Sequence, residues 1–171
     1  MRTVSLFFLF VLFTSVNLYA QSMEPPKPLE NAVYDAMVGE WKGVSEMMGD
    51  KQDETIKCYW DLNHQFVIME LESVSQSTPG QVYHGKGIYG VNSEGNAVYW
   101  WFDDWGADGA LQGTGTFDGM KITMTGENMW YKDDRTVTWN ADGQMVMNWK
   151  GLVKLPTGDM EMSGETVFTK Q

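Results

Sequence analysis

The chain has 171 residues, 43% of them hydrophobic and 13% aromatic, and carries a formal net charge of −11 at neutral pH. So acidic a surface repels nucleic acid and anionic lipid head groups and disfavours an anionic ligand. Cys58 is the single cysteine, so no internal disulfide can staple the fold and stability has to come from packing.

The first element is "MRTVSLFFLFVLFTSVNLYA". Arg2 precedes an apolar run from Val4 to Val16, and Ala20 supplies a small residue before Gln21, the pattern of a secretory signal peptide over 1–20. The run is short for a bilayer span, which needs about 20 apolar residues. No later stretch is long and apolar enough to span, and no cysteine follows the cleavage point to carry a lipid. The expectation is therefore a periplasmic or secreted protein with no membrane span after cleavage. A proline-rich linker follows over 21–28 and reads as extended and mobile. A single domain then occupies 29–171.

In "LENAVYDAMVG", Leu29, Val33, Ala36 and Met37 stand near helical spacing, with Gly39 as the stop, so a short helix is predicted. Beyond Gly39 the period becomes two. Turn signals recur every 8–12 residues or so, as in all-β sandwiches and barrels. They are "MGDK" at 48–51, "STPG" at 77–80, "NSEGN" at 92–96, "GADG" at 106–109, "FDGM" at 117–120, "NADG" at 140–143 and "PTGD" at 156–159. Gly, Asn and Asp accept the positive φ that such corners require. With about ten strands and no crossover helices, neighbours should pair antiparallel. The predicted fold is all-β, a closed antiparallel up-and-down barrel with a short N-terminal helix.

Alternation marks an inner face. Met120, Ile122 and Met124 share one side of their strand; Met145, Met147 and Trp149 share another. Ile56, Cys58, Trp60 and Leu62 do the same, as do Val137 and Trp139. "NAVYWWFDDWGADG" departs from the rule, because Val98, Trp100 and Phe102 lie opposite Tyr99, Trp101 and Asp103, with aromatics on both faces. The outer aromatic face calls for a cover, either the N-terminal helix or a second copy of the chain in a homodimer.

"VGEWKG" at 38–43, with Gly39 and Trp41, resembles the Gly-x-Trp opening of the calycins, the lipocalin-like barrels. The resemblance implies a Trp41 at the barrel bottom with a late arginine packed across it. Arg135 is the one arginine after residue 20, and a cation–π contact with Trp41 is expected. The longer series "GEWKG", "QFVIMELES", "YHGKGIYGVN", "YWWFDDWG" and "GTGTFDG" is similar to the bacterial domain-of-unknown-function 1579 family, from about Asp35 to Phe168. Trp101-Phe102-Asp103 and Gly113-x-Gly115 match best; Asp104 stands where a small polar residue is expected. The resemblance implies a calycin-like barrel, often exported, and no particular activity. A related barrel type holds haem through a histidine on a late strand, whereas His64 and His84 both lie in the first half, which argues against haem.

Two distant histidines and one cysteine do not make a zinc site. Thioethers bind Cu(I), but alternating methionines read as core packing by adaptable side chains. No nucleophile elbow is present. Asp103 and Asp104 point to opposite faces and cannot flank one bond. Glu70 and Glu72 share a face and could meet at a barrel mouth or be solvated charge. Cys58, on an apolar face, reads as an inert thiol.

The leading expectation is non-enzymatic binding of a small neutral or cationic hydrophobic molecule inside the barrel, with no metal or cofactor and no catalytic residues. Trp60, Trp100, Trp139, Trp149, Met124, Met145 and Met147 are the candidate walls, with His84 as a polar group at the mouth. A barrel filled by its own side chains is the alternative at the level of packing. At the level of function the alternatives are a pocketless envelope interaction module and a hydrolase or isomerase using His84 and Glu70.

Overall fold

The structure, a computed structural model, describes residues 25–171. The expected signal peptide and residues 21–24 of the linker lie outside the described residues. After a helix α1 (Ala32–Met37), ten strands follow: β1 (Gly39–Met47), β2 (Asp50–Asp61), β3 (Phe66–Ser75), β4 (Val82–Val91), β5 (Ala97–Asp103), β6 (Leu111–Phe117), β7 (Lys121–Glu127), β8 (Tyr131–Trp139), β9 (Met145–Val153) and β10 (Met160–Lys170). Each pairs antiparallel with its sequence neighbour, and β1 pairs with β10 to close an up-and-down barrel. The closing ladder joins Trp41, Lys42 and Gly43 to Lys170, Thr169 and Phe168.

All seven predicted turns link strands. Two further links, 62–65 and 128–130, lack glycine and gave no signal in the sequence. In the first, Leu62, Asn63 and His64 all adopt positive φ, of 48°, 56° and 59°. In the second, the Asn128 carboxamide oxygen accepts from the backbone N–H groups of Trp130 and Tyr131, a side chain doing the work of a turn hydrogen bond.

Antiparallel alternation puts the links β2–β3, β4–β5, β6–β7 and β8–β9 at one end and the other five hairpins at the opposite end, the mouth. The helix plugs the first end. Asn31 caps it by accepting from Val33 and Tyr34 N–H, worth about 1 kcal/mol. Val33, Tyr34 and Met37 are buried, and the Tyr34 hydroxyl donates to the Gly90 carbonyl at 2.9 Å. The Trp41 indole donates to the Met37 carbonyl at 2.8 Å, and the Trp60 indole donates to Asp35 at 3.0 Å. Tyr34 also meets Phe117 edge to face at 5.4 Å. Sequence predicted a helix from Leu29; the observed one starts at Ala32 because residues 25–30 are extended along the β2–β3 hairpin. That segment is tied to the hairpin by hydrogen bonds: Leu29 N–H donates to the His64 carbonyl, and the Asn63 and Gln65 carboxamides donate to Pro26 and Lys27 carbonyls.

Two expectations are corrected by this arrangement. The helix covers the barrel's end and not the outer face of β5, where Trp100 packs against Phe66 at 6.4 Å and Phe102 stays exposed. The cation over Trp41 is Lys170, at 5.1 Å, its partner across the β1–β10 ladder. Gly39 fits there with φ 135° and no Cβ, which would strike the Lys170 side chain.

Candidate functional site

The inward positions grade from sealed to open along the barrel axis. Next to the plug, Trp41, Tyr34, Met145 and Phe168 are at most 1% exposed. A cavity of about 10 Å³ remains there, lined by Met37, Met69, Met124, Met145 and Met147 and reaching Tyr89 and Arg135. That is about the room one water needs. The indole N–H of Trp139 lies on this cavity, buried and without a partner. Cys58 is buried close to it, and burial pushes its thiol up to about 12, so it is an inert core residue.

Towards the mouth the inward residues turn polar and aromatic. Arg135 on β8 donates from Nε to Asp133 Oδ2 at 2.6 Å. Asp133, 1% exposed, also accepts from the hydroxyls of Tyr99 at 3.3 Å and Tyr131 at 3.5 Å. The Arg135 guanidinium lies 5.7 Å from the centre of the Trp101 ring. Burial opposes its charge, but Asp133 and the Tyr89 hydroxyl outweigh that and hold Arg135 firmly protonated. Burial in turn pushes the Tyr89 and Tyr131 phenols up to about 12.

Two smaller groups flank this pair. Tyr83 and Trp101 both donate to Asp103 Oδ2, at 2.9 and 3.2 Å. Ser45 donates to Glu54 at 2.6 Å. Burial raises the Glu54 carboxyl above its usual range, against the lowering effects of Ser45 and Arg135. Although Tyr89, Tyr99 and Trp101 surround it, Arg135 keeps 16% of its side chain accessible.

Glycines set the shape of this upper lumen. Trp101 lies where a Cβ on Gly85 would be, Tyr99 covers Gly113 and Gly126, Tyr131 covers Gly151, and Trp149 covers Gly164. Each large ring thus lies along the wall, over a neighbouring strand, and does not cross the barrel axis. An added methyl at any of these glycines would push a ring inward.

The structure brings some of the sequence candidates together and separates others. Trp149 is in the upper lumen, directly across the β8–β9 ladder from Arg135. Met124, Met145, Met147 and Trp139 are inward but line the sealed lower cavity. Trp60 belongs to the plug, its ring 3.9 Å from that of His64. Trp100 is on the outer surface and lines no lumen, because the glycines opposite β5 receive Tyr99 and Trp101 instead. His84 is also outside: its Nδ1 lies 3.1 Å from Asp104, and Nε2 lies 3.7 Å from Glu72. Glu70 is on the same outer face, paired with Lys86 at 3.1 Å, so neither proposed acid–base residue reaches the interior. Sequence reading missed Asp133, Glu54 and the lumenal role of Arg135. Alternate glycines at 85 and 87, and at 113 and 115, were the available signal for which face of β5 turns inward.

No family model and no curated protein matches the chain. Among solved structures it is similar to the S-type phycobiliprotein lyase CPES from Guillardia theta, with a TM-score of 0.61 at 8% identity over 81% of this chain and 90% of that one. A weaker likeness, with a TM-score of 0.44 at 12% identity, is to a de novo designed fluorescence-activating β-barrel, over 83% of this chain and 100% of that one. At such identities the likeness establishes a shared barrel architecture, calycin-like in its closed antiparallel course.

Proposed function

We propose that the protein binds a small, largely apolar, uncharged or cationic molecule in the upper lumen, entering through the mouth. The observation that carries this reading is Arg135, a guanidinium ringed by aromatics and paired with Asp133 that keeps 16% of its side chain accessible. A site of this kind combines apolar walls with a few fixed polar groups, which is what ligand pockets need. Asp133 takes up Nε of Arg135 and the Tyr89 hydroxyl lies within its reach, so the remaining N–H groups of the fork can donate to a carbonyl or ether oxygen of the guest. Glu54, Asp103 and Asp133 outnumber the one arginine in this region and disfavour an anion. The sealed lower half serves as the floor. Membership of the domain-of-unknown-function 1579 family, and export through the apolar run at 4–16, are parts of the same proposal and rest on the sequence motifs.

The test is titration with N-phenyl-1-naphthylamine, an uncharged apolar fluorophore, alongside its sulfonated relative 1-anilinonaphthalene-8-sulfonate. The expected result is saturable one-to-one binding of the neutral probe, weakened by Trp149→Ala, with the sulfonate bound more weakly. Absence of saturable binding, or equal binding of both probes, overturns the proposal.

A further inference from the structure

The hairpins at the mouth carry most of the strongly exposed apolar side chains among the described residues. Met48 on the β1–β2 hairpin is 79% exposed, Trp105 between β5 and β6 is 81%, Met129 and Trp130 between β7 and β8 are 70% and 52%, and Leu155 between β9 and β10 is 43%. The opposite end differs. Its β4–β5 and β8–β9 links read "NSEGN" and "NADGQ", leaving Leu62 and Met120 as its exposed apolar residues. Scattered exposed apolar residues are ordinary on a protein surface; a ring of them around one opening is not.

We propose that the mouth docks on an uncharged or zwitterionic lipid surface, with the Trp and Met tips entering its interfacial layer. Three features favour that occupant. The tips stand on four separate hairpins at the mouth, and a soft surface admits each tip separately. Tryptophan, apolar with one N–H donor, is the side chain suited to the boundary between head groups and acyl chains. Asp104, Asp108 and Asp159 lie in the same links, and the one lysine among them, Lys154, faces Glu127 at 3.7 Å. Anionic membranes are held by clusters of Lys and Arg, and this rim has the opposite sign. Docked in this way, the mouth faces the phase in which an apolar guest dissolves. The proposal does not depend on the lumen being occupied.

The experiment is flotation of the protein, as recovered from its host, with phosphatidylcholine vesicles. Parent and variants differ only at the tips, so any contribution of the N-terminal residues is common to all. The parent is expected to float, the Trp105→Ser/Trp130→Ser double variant to lose flotation, and Met129→Ser/Leu155→Ser to reduce it, with unfolding midpoints unchanged. Four results overturn the proposal: no flotation of the parent, equal flotation of parent and variants, preference for phosphatidylglycerol vesicles, or a parent dimer in light scattering that the double variant dissolves. The last would assign the tips to a second copy of this chain. Binding of N-phenyl-1-naphthylamine is measured without vesicles, so failure of docking and failure of lumenal binding are separate outcomes.

Discussion

At the plugged end of the barrel, the inward side chains are large and apolar; Trp41 and Phe168 are buried with Tyr34 of the helix, around a void of about 10 Å³. At the mouth the inward side chains are just as large, yet glycines under Trp101, Tyr99 and Trp149 draw them back against the wall. The same strands run through both halves. A glycine under a ring sets where the ring lies, but not by itself whether the section is sealed: Phe168 also lies on Gly43, and there the helix fills the end of the barrel.

This contrast predicts opposite sensitivities. The largest effect belongs to removal of volume at the plug: Trp41→Ala should cost about 3–5 kcal/mol, read as a lower urea midpoint at unchanged m-value. A loss below about 1 kcal/mol would mean the plug is not the structural centre. Addition of volume in the upper lumen comes next. Gly85→Ala should cost about 1–3 kcal/mol by overpacking, because the new methyl occupies the place of the Trp101 ring, and it should weaken neutral-probe binding by turning that ring inward. If Gly85→Ala is neutral in both assays, the rings do not depend on those glycines for their place on the wall. The smallest effect is at the tips, where Met129→Ser should stay within about 0.5 kcal/mol of the parent in the same denaturation experiment.

Much of the barrel can be read from residues alone. Gly, Asn and Asp at the corners and Met or Trp at alternate positions announce antiparallel strands with one apolar side, and the ten strands and their order follow. The links at 62–65 and 128–130 escape such reading because non-glycine residues take positive φ in one and the Asn128 side chain closes the other. The face of β5 escapes it for a different reason. Period two says that Tyr99 and Trp101 oppose Trp100, not which set is inside; aromatic content cannot choose, since both sides have it.

The candidate site was legible only in kind. Trp149, Met124, Met145 and Met147 are inward as their alternation requires, but the axis position that separates Trp149 from the three methionines depends on the register of β9 against β8. Arg135 was expected over Trp41. The ladder instead gives Trp41 the Lys170 side chain and sets Arg135 beside Asp133, Tyr99 and Trp101.

By itself the sequence determined the strand alternation, most of the turns, the absence of a disulfide and the acidic surface, all of which depend on residues close together in the chain or on composition. Only the tertiary structure decided which end the helix seals, which rings lie on glycines and which acids meet the one arginine. Those depend on closure of β1 against β10 and on the stagger of ten strands, and no local pattern carries the register of residues a hundred positions apart.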